Sequence, residues 1–131
     1  MVLIVDDDPA FCSDLRRTLE DAGYSTMVRD SGPEGIKAAE EFRDRIDVAV
    51  IDIVLPGMNG FEVVGALKRR PNNIKIVVTS LVMRDLYLEA AKTFGAHAVV
   101  RKERQFNGAD WLRGIEDVIK DVKAKRADQG T

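Results

Sequence analysis

Several aspartates of the chain lie where they could hold a metal ion. Asp6, Asp7 and Asp8 come directly after the first apolar run, and Asp52 comes directly after the third. Carboxylates within a few ångströms of one another repel, so a divalent cation between them is needed if all are to be ionised at neutral pH. Sites made of carboxylate oxygens and water suit Mg²⁺, which usually also binds phosphate oxygens. These residues therefore predict a Mg²⁺ site for phosphate chemistry.

Hydroxyl and ammonium groups follow two further apolar runs. Thr79 and Ser80 come at the end of the fourth run, and Lys102 comes shortly after the fifth. A lysine supplies a point charge for one phosphate oxygen, and the hydroxyl of Ser80 can donate a hydrogen bond to another. A metal ion, a lysine and a hydroxyl around one carboxylate suit an aspartate that receives a phosphoryl group, because that reaction depends mainly on positioning and charge stabilisation.

These side chains are expected at one edge of a parallel sheet. Short apolar runs alternate with stretches of helical periodicity, and strands joined by helices must run parallel. Right-handed crossovers then cover both faces of the sheet with helices, which predicts a doubly wound α/β fold whose ligands bind beyond the carboxyl ends of the strands. The five predicted strands are Val2–Val5, Tyr24–Val28, Val48–Ile51, Ile74–Thr79 and Ala98–Val100.

Capping residues indicate where three of the five helices begin. Asp8 precedes a proline at the first helical position, Ser31 has a glutamate three residues later, and Asn59 precedes the third helix. Phe94 and Trp111 occur at the apolar spacing of the fourth and fifth helices. We therefore expect both aromatic rings in the core.

Length and composition are those of one globular domain. The chain has 131 residues, of which 45% are hydrophobic and 32% charged, and its net charge of −2 gives no reason to expect direct nucleic-acid binding. No apolar run approaches the roughly 18 residues of a membrane span, and the single cysteine, Cys12, cannot form an internal disulfide. We predict a cytoplasmic protein with one domain over residues 1–122 and a polar tail, or the start of a linker, over residues 123–131.

Two stretches and one lysine resemble the receiver domain of two-component response regulators. They are LIVDDDP (residues 3–9), VIDIVLPGMNG (residues 50–60) and Lys102, and the resemblance extends over about residues 2–122. It implies an α/β, flavodoxin-like (βα)5 fold, with a five-stranded parallel sheet in the order 2-1-3-4-5 and helices on both faces. It also implies that Asp52 is the phosphoacceptor.

The same resemblance assigns roles to the other residues at this edge. It implies a Mg²⁺ site whose ligands are the carboxylates of Asp6, Asp7 and Asp52 and the backbone carbonyl of Val54. It pairs Lys102 with the phosphoryl group and matches Ser80 to the hydroxyl that turns towards that group, since 22 residues separate positions 80 and 102. A shift of one residue in the fourth strand would give this role to Thr79 instead.

By resemblance, the protein is a signalling switch and not an enzyme, apart from assisting its own phosphorylation and dephosphorylation. A histidine kinase or phosphotransfer protein would transfer a phosphoryl group to Asp52. The face formed by helix 4, strand 5 and helix 5 would then change its affinity for a downstream effector protein or domain. The same helices could form a homodimer.

Three positions depart from the usual receiver pattern. Val99 stands where an aromatic residue is usual, Glu103 stands where proline is usual, and Leu81 stands where a small residue is usual. The side chain of Leu81 could therefore crowd the phosphorylation pocket. Val54 and Val82 occupy the two positions that tune loss of the phosphoryl group to water, and both are apolar, which predicts slow self-dephosphorylation.

Two other functions fit parts of this pattern. The three departures would suit a receiver-like interaction module that binds its partner without being phosphorylated. A Mg²⁺-dependent phosphohydrolase with an aspartyl nucleophile is a further alternative. Those enzymes, as a family, place a second aspartate two residues after the nucleophile, where this chain has Val54.

Overall fold

A computed structural model describes the backbone of residues 1–81 and 85–129, and the side chains of residues 1–81 and 89–120. The strands are β1 (Val2–Val5), β2 (Thr26–Arg29), β3 (Val48–Asp52), β4 (Lys75–Ser80) and β5 (Ala98–Arg101). The helices are α1 (Pro9–Asp21), α2 (Gly32–Phe42), α3 (Gly60–Lys68), α4 (Asp85–Thr93) and α5 (Gly108–Gln129).

The five described strands form one parallel sheet in the order β2-β1-β3-β4-β5. Helices α1 and α5 cover one face of this sheet, and α2, α3 and α4 cover the other. Every residue of β1 and β3 is buried, because both strands lie inside the sheet and are covered by helices on both faces. The predicted α/β fold and its strand order are confirmed.

The predicted capping residues begin the first three helices. The Asp8 carboxylate accepts hydrogen bonds from the backbone N–H groups of Ala10 and Phe11. The hydroxyl of Ser31 and the side-chain oxygen of Asn59 each accept one from the backbone N–H three residues later. These bonds satisfy N–H groups that have no partner within the helix, so the sequence alone determines where these helices begin.

Two features of the helices differ from what the sequence led us to expect. Phe94 was expected in the core, but its side chain is 51% exposed, and its ring lies against that of Phe61 with the centroids 5.3 Å apart. Phe94 comes directly after the end of α4, where helical periodicity no longer determines which face a residue occupies. Helix α5 continues through Gln129, so the polar stretch after residue 122 is helical as far as it is described. The domain boundary at residue 122 remains a prediction.

Within the described residues, no helix combines the length and the hydropathy that crossing a bilayer requires.

Trp111 was expected in the core. Its side chain is buried there, on the face of the sheet that α1 and α5 cover.

A glycine allows the start of α3 to pack against the end of β3. A Cβ atom at Gly60 would lie 2.2 Å from the carbonyl oxygen of Asp52 and 2.7 Å from Cα of Ile53. The N–H of Gly60 also donates to the carbonyl oxygen of Ile53 at 2.7 Å. A side chain at residue 60 would therefore push α3 away from the backbone of Asp52.

We expect Gly60→Ala to lower the free energy of unfolding by about 1–3 kcal/mol, because the added methyl group overlaps backbone atoms that cannot move independently. Gly65→Ala is the matched control, since it lies in the same helix and its Cβ would meet no atom within 4 Å. Alanine there should stabilise the protein by about 0.5–1 kcal/mol through helix propensity. Urea unfolding of both variants measures the difference, and equal effects would contradict the close packing of α3 on β3.

Candidate functional site

The ends of β1, β3 and β5 bring two carboxylates and one ammonium group to the same face of the sheet. Side chains alternate along a strand, so Asp6 lies on the face of Ile4, and Asp52 lies on the face of Val50. Ile4 and Val50 both belong to the core beneath α1 and α5. The side chains of Asp6, Asp52 and Lys102 are all buried. The structure therefore brings these three residues together at the carboxyl edge of the sheet, as the sequence predicts.

The ammonium group of Lys102 lies between the two buried carboxylates. Its Nζ is 2.7 Å from Oδ2 of Asp6 and 3.1 Å from Oδ2 of Asp52. Burial lowers the pKa of Lys102, but the two carboxylates raise it by more, so its pKa lies above the ordinary value of a lysine. Burial also raises the pKa of Asp6 to about 6, although the lysine opposes this change. One buried ammonium group therefore pairs with two buried carboxylates.

The acidic side chains are arranged as a divalent cation would need them. Asp6, Asp7 and Asp52 can each offer one carboxylate oxygen, and these oxygens lie within 4.8 Å of one another. Oδ1 of Asp6 accepts a hydrogen bond from the N–H of Asp8 at 2.9 Å. Its buried Oδ2 forms the ion pair with Nζ of Lys102 at 2.7 Å and has no other partner within the described residues. A carboxylate oxygen has more than one lone pair, so Oδ2 can also serve as a metal ligand, and an all-oxygen site suits Mg²⁺.

The loop after β3 holds the side chain of Asp52 in place. The N–H of Val54 donates to Oδ1 of Asp52 at 3.1 Å, so the other oxygen, Oδ2, is the one that meets the lysine. The side chain of Val54 is 63% exposed. The carboxylate is thus oriented by the chain immediately after it, and an apolar side chain lies next to it at the surface.

The two candidate hydroxyls lie on opposite faces of β4. Thr79 is the direct partner of Asp52 in the parallel pairing of β3 with β4, so both side chains point to the same face of the sheet. Oγ1 of Thr79 is buried and has no hydrogen-bond partner within the described residues. Ser80 is also buried, but alternation places it on the face of Val78, which packs beneath α2, α3 and α4. The hydroxyl on the face of Asp52 is therefore that of Thr79.

The positions that depart from the receiver pattern lie around this site and beside it. Leu81, expected to crowd the pocket, is 55% exposed and lines a cleft of about 350 Å³ that reaches Lys102 and Glu103. Val99 is half-buried against the core beneath α2, α3 and α4. Val82 lies outside the described residues.

One contact of the site was missed by the sequence reasoning. Nζ of Lys102 lies 4.4 Å from the centroid of the Phe11 ring. Phe11 belongs to the apolar stripe of α1, and nothing in its spacing distinguishes it from the other core residues of that helix. Only the three-dimensional packing of α1 on the sheet places this ring beside the lysine.

Known proteins of one family are similar to this chain in fold and in sequence. A family model described as "Response regulator receiver domain" matches residues 2–109. The chain is 35% identical over 122 residues to response regulator MprA of Mycobacterium leprae, which covers 93% of this chain and 52% of that protein. It is 33% identical over 92 residues to heme response regulator HssR of Staphylococcus aureus (strain MRSA252), which covers 70% of this chain and 39% of that protein.

A solved structure agrees with these sequence matches. The chemotaxis protein CheY4 of Vibrio cholerae superimposes with a TM-score of 0.81 at 28% identity, over 89% of this chain and 96% of that one. The chain spans about half, or less, of the length of the curated relatives named above. Because the family model matches most of the chain and its relatives carry the same domain, the chain belongs to the family of response regulator receiver domains.

Proposed function

We propose that this receiver domain is a switch that a phosphoryl group on Asp52 turns on, with Mg²⁺ as its cofactor. Receiver domains are signalling domains and generally bind Mg²⁺. The observation that carries the proposal is the buried ammonium group of Lys102, which lies between Asp6 and Asp52. An ammonium group at this point can form an ion pair with the negatively charged oxygens of an arriving phosphoryl group.

The phosphoryl donor in this proposal is a phosphohistidine of a histidine kinase or of a phosphotransfer protein. A carboxylate oxygen of Asp52 forms a bond to phosphorus as the donor's N–P bond breaks, and the electron pair of that bond leaves with the imidazole nitrogen. The charge of the transferring group would be neutralised by Mg²⁺ held by Asp6, Asp7 and the carbonyl of Val54. Lys102 would move its hydrogen bond from the Asp52 carboxylate to a phosphoryl oxygen.

The hydroxyl that binds the phosphoryl group is, in this proposal, that of Thr79 and not that of Ser80. Thr79 pairs with Asp52 across the strands, and its Oγ1 is a buried donor that lacks a partner within the described residues. A phosphoryl oxygen would supply that partner. Leu81 then stands two residues after the hydroxyl, in the role that the sequence analysis gave to Val82. It is apolar and 55% exposed, so slow self-dephosphorylation is still expected.

The signal would leave the site through β4 and β5. The backbone N–H of Lys102 donates to the carbonyl oxygen of Ser80 at 3.1 Å, so a movement of either strand end is transmitted to the other. With Val99 in place of an aromatic residue, β5 has no aromatic side chain that could change its position, and the movement of the backbone and of α4 would carry the change. The proposed partner of the α4, β5 and α5 face is an effector protein or domain, in the cytoplasm, and a homodimer through the same face stays a prediction.

Phosphorylation is tested by the mass of the intact protein after incubation with Mg²⁺ and a small phosphodonor. We expect one phosphoryl adduct on the wild type and none on Asp52→Asn, because the amide removes the attacking carboxylate. Asp44→Asn, an exposed acid after the end of α2, is the control and should be labelled like the wild type. If Mg²⁺ binds but no adduct forms, the chain is a phosphate-independent interaction module. If the adduct lasts only seconds, slow self-dephosphorylation is wrong.

The choice between the two hydroxyls is tested by Thr79→Val and Ser80→Ala. Valine has the shape of threonine without the unsatisfied hydroxyl, so Thr79→Val should raise the free energy of unfolding of the unphosphorylated protein by about 1 kcal/mol. It should also remove most of the NMR shift changes that phosphorylation causes in β5. Ser80→Ala should leave those changes in place, and the opposite pattern would assign the role to Ser80.

The binding of Mg²⁺ should weaken in acid, because a proton competes for Asp6. The pKa of this carboxyl is raised by burial to about 6, so the apparent affinity should fall by about tenfold for each pH unit below that value. The metal-free protein should respond in the opposite sense. The folded state binds this proton more tightly than the unfolded state, which makes protonation of Asp6 stabilising as the pH falls from about 6 towards 4. Calorimetric titration between pH 5 and 8 measures the first effect, and an affinity that does not change with pH would contradict it.

A further inference from the structure

The ammonium group of Lys102 has an aromatic ring as its third neighbour. Two of its contacts are the carboxylates of Asp6 and Asp52, at 2.7 and 3.1 Å. The third is the face of the Phe11 ring, whose centroid lies 4.4 Å from Nζ. A ring at this distance attracts a cation through its electron-rich face, and the attraction is strongest where water is excluded. Both side chains are buried, at 6% and 8% exposure for the lysine and the ring.

Three contacts hold Phe11 in place. The backbone N–H of Phe11 donates to the Asp8 carboxylate at the start of α1, at 3.3 Å. The ring packs edge-to-face against Trp111 of α5, with the centroids 5.1 Å apart, and against Phe106 in the preceding loop, at 6.1 Å. A neighbour that is held this firmly can orient a lysine, whose flexible four-carbon stem would otherwise allow many positions.

The ring also affects where the ammonium protons point. An ammonium group has three N–H bonds, and an aromatic face accepts hydrogen bonds only weakly compared with a carboxylate. The ring of Phe11 covers one side of the ammonium group. The charged contacts of Lys102 are thereby directed towards Asp6, Asp52 and any phosphoryl oxygen that arrives between them.

We propose that Phe11 is a positioning residue for phosphoryl transfer, and that it acts by holding the ammonium group of Lys102 towards Asp52. This inference rests on the proposed function. In the test reaction with phosphoramidate, an Asp52 oxygen bonds to phosphorus, the N–P bond breaks, and its electron pair leaves with the nitrogen as ammonia. Phe11 touches none of these atoms, so its effect on the reaction passes through the lysine.

The test measures the rate of Asp52 phosphorylation by phosphoramidate with Mg²⁺ in four proteins. Phe11→Leu keeps an apolar side chain but removes the ring, and we expect it to be about tenfold slower than the wild type. Phe11→Tyr keeps the ring and should react at close to the wild-type rate. Phe42→Leu is the control, because it removes a half-buried ring on the other face of the sheet, where the centroid lies 5.9 Å from Cζ of Arg45, and it should leave the rate unchanged.

An NMR measurement on the unphosphorylated proteins separates positioning from general packing. The methylene protons next to Nζ of Lys102 should show an upfield ring-current shift in the wild type, Phe11→Tyr and Phe42→Leu, and this shift should be lost in Phe11→Leu. A slower Phe11→Leu that retains the shift, an equal slowing in Phe42→Leu, or an unchanged rate in Phe11→Leu would each overturn this inference while the proposed function stands. A wild type that takes no phosphoryl group would overturn the proposed function, and the positioning role with it.

Discussion

The structure depends on one buried lysine that forms ion pairs with two buried carboxylates. Removing a charged group from water is expensive, and a buried pair persists only where geometry and further hydrogen bonds compensate. Here the ammonium group of Lys102 meets Asp6 and Asp52 at short distances, and each carboxylate has a second oxygen that accepts a backbone N–H. The arrangement leaves an excess of negative charge, which only another cation can balance. The order of the strands is what allows it, since β1, β3 and β5 must end at the same edge and the same face.

Much of the fold follows from local signals in the sequence. The apolar runs predicted the strands to within two residues at each end, because strands covered by helices on both faces consist mainly of apolar residues. Asp8, Ser31 and Asn59 predicted the starts of three helices, because each side chain satisfies free N–H groups of the helix that follows it. Phe94 shows where such signals end, because it continues the apolar spacing of α4 but lies beyond the helix and is 51% exposed.

The sequence predicted which charged residues form the site, but it did not predict which way the other side chains of the site point. Aspartates after β1 and β3 and a lysine after β5 must meet in any parallel sheet with this connectivity, so their types and order were sufficient. The choice between Thr79 and Ser80 depended on which face of β4 each side chain occupies. Counting back from the end of the strand could have decided it, but only once the register with β3 was known. The contact of Phe11 with Lys102 could not have been predicted, because it depends on how α1 packs against the sheet.

The site without a phosphoryl group leaves one buried hydroxyl without a partner and two buried carboxylates with one ammonium group. Oγ1 of Thr79 has no hydrogen bond within the described residues, which destabilises the fold, and Oδ2 of Asp6 has only its ion pair with Lys102. In the proposed switch, a phosphoryl group on Asp52 would accept a hydrogen bond from the hydroxyl, and a divalent cation would bind the carboxylate oxygen. Both interactions would be specific to one state of the protein. A ligand shifts a conformational equilibrium only by the difference in its interactions with the two states. Groups that lack partners in one state and gain them in the other supply such a difference, and they do so at the ends of the strands that lead to α4 and α5.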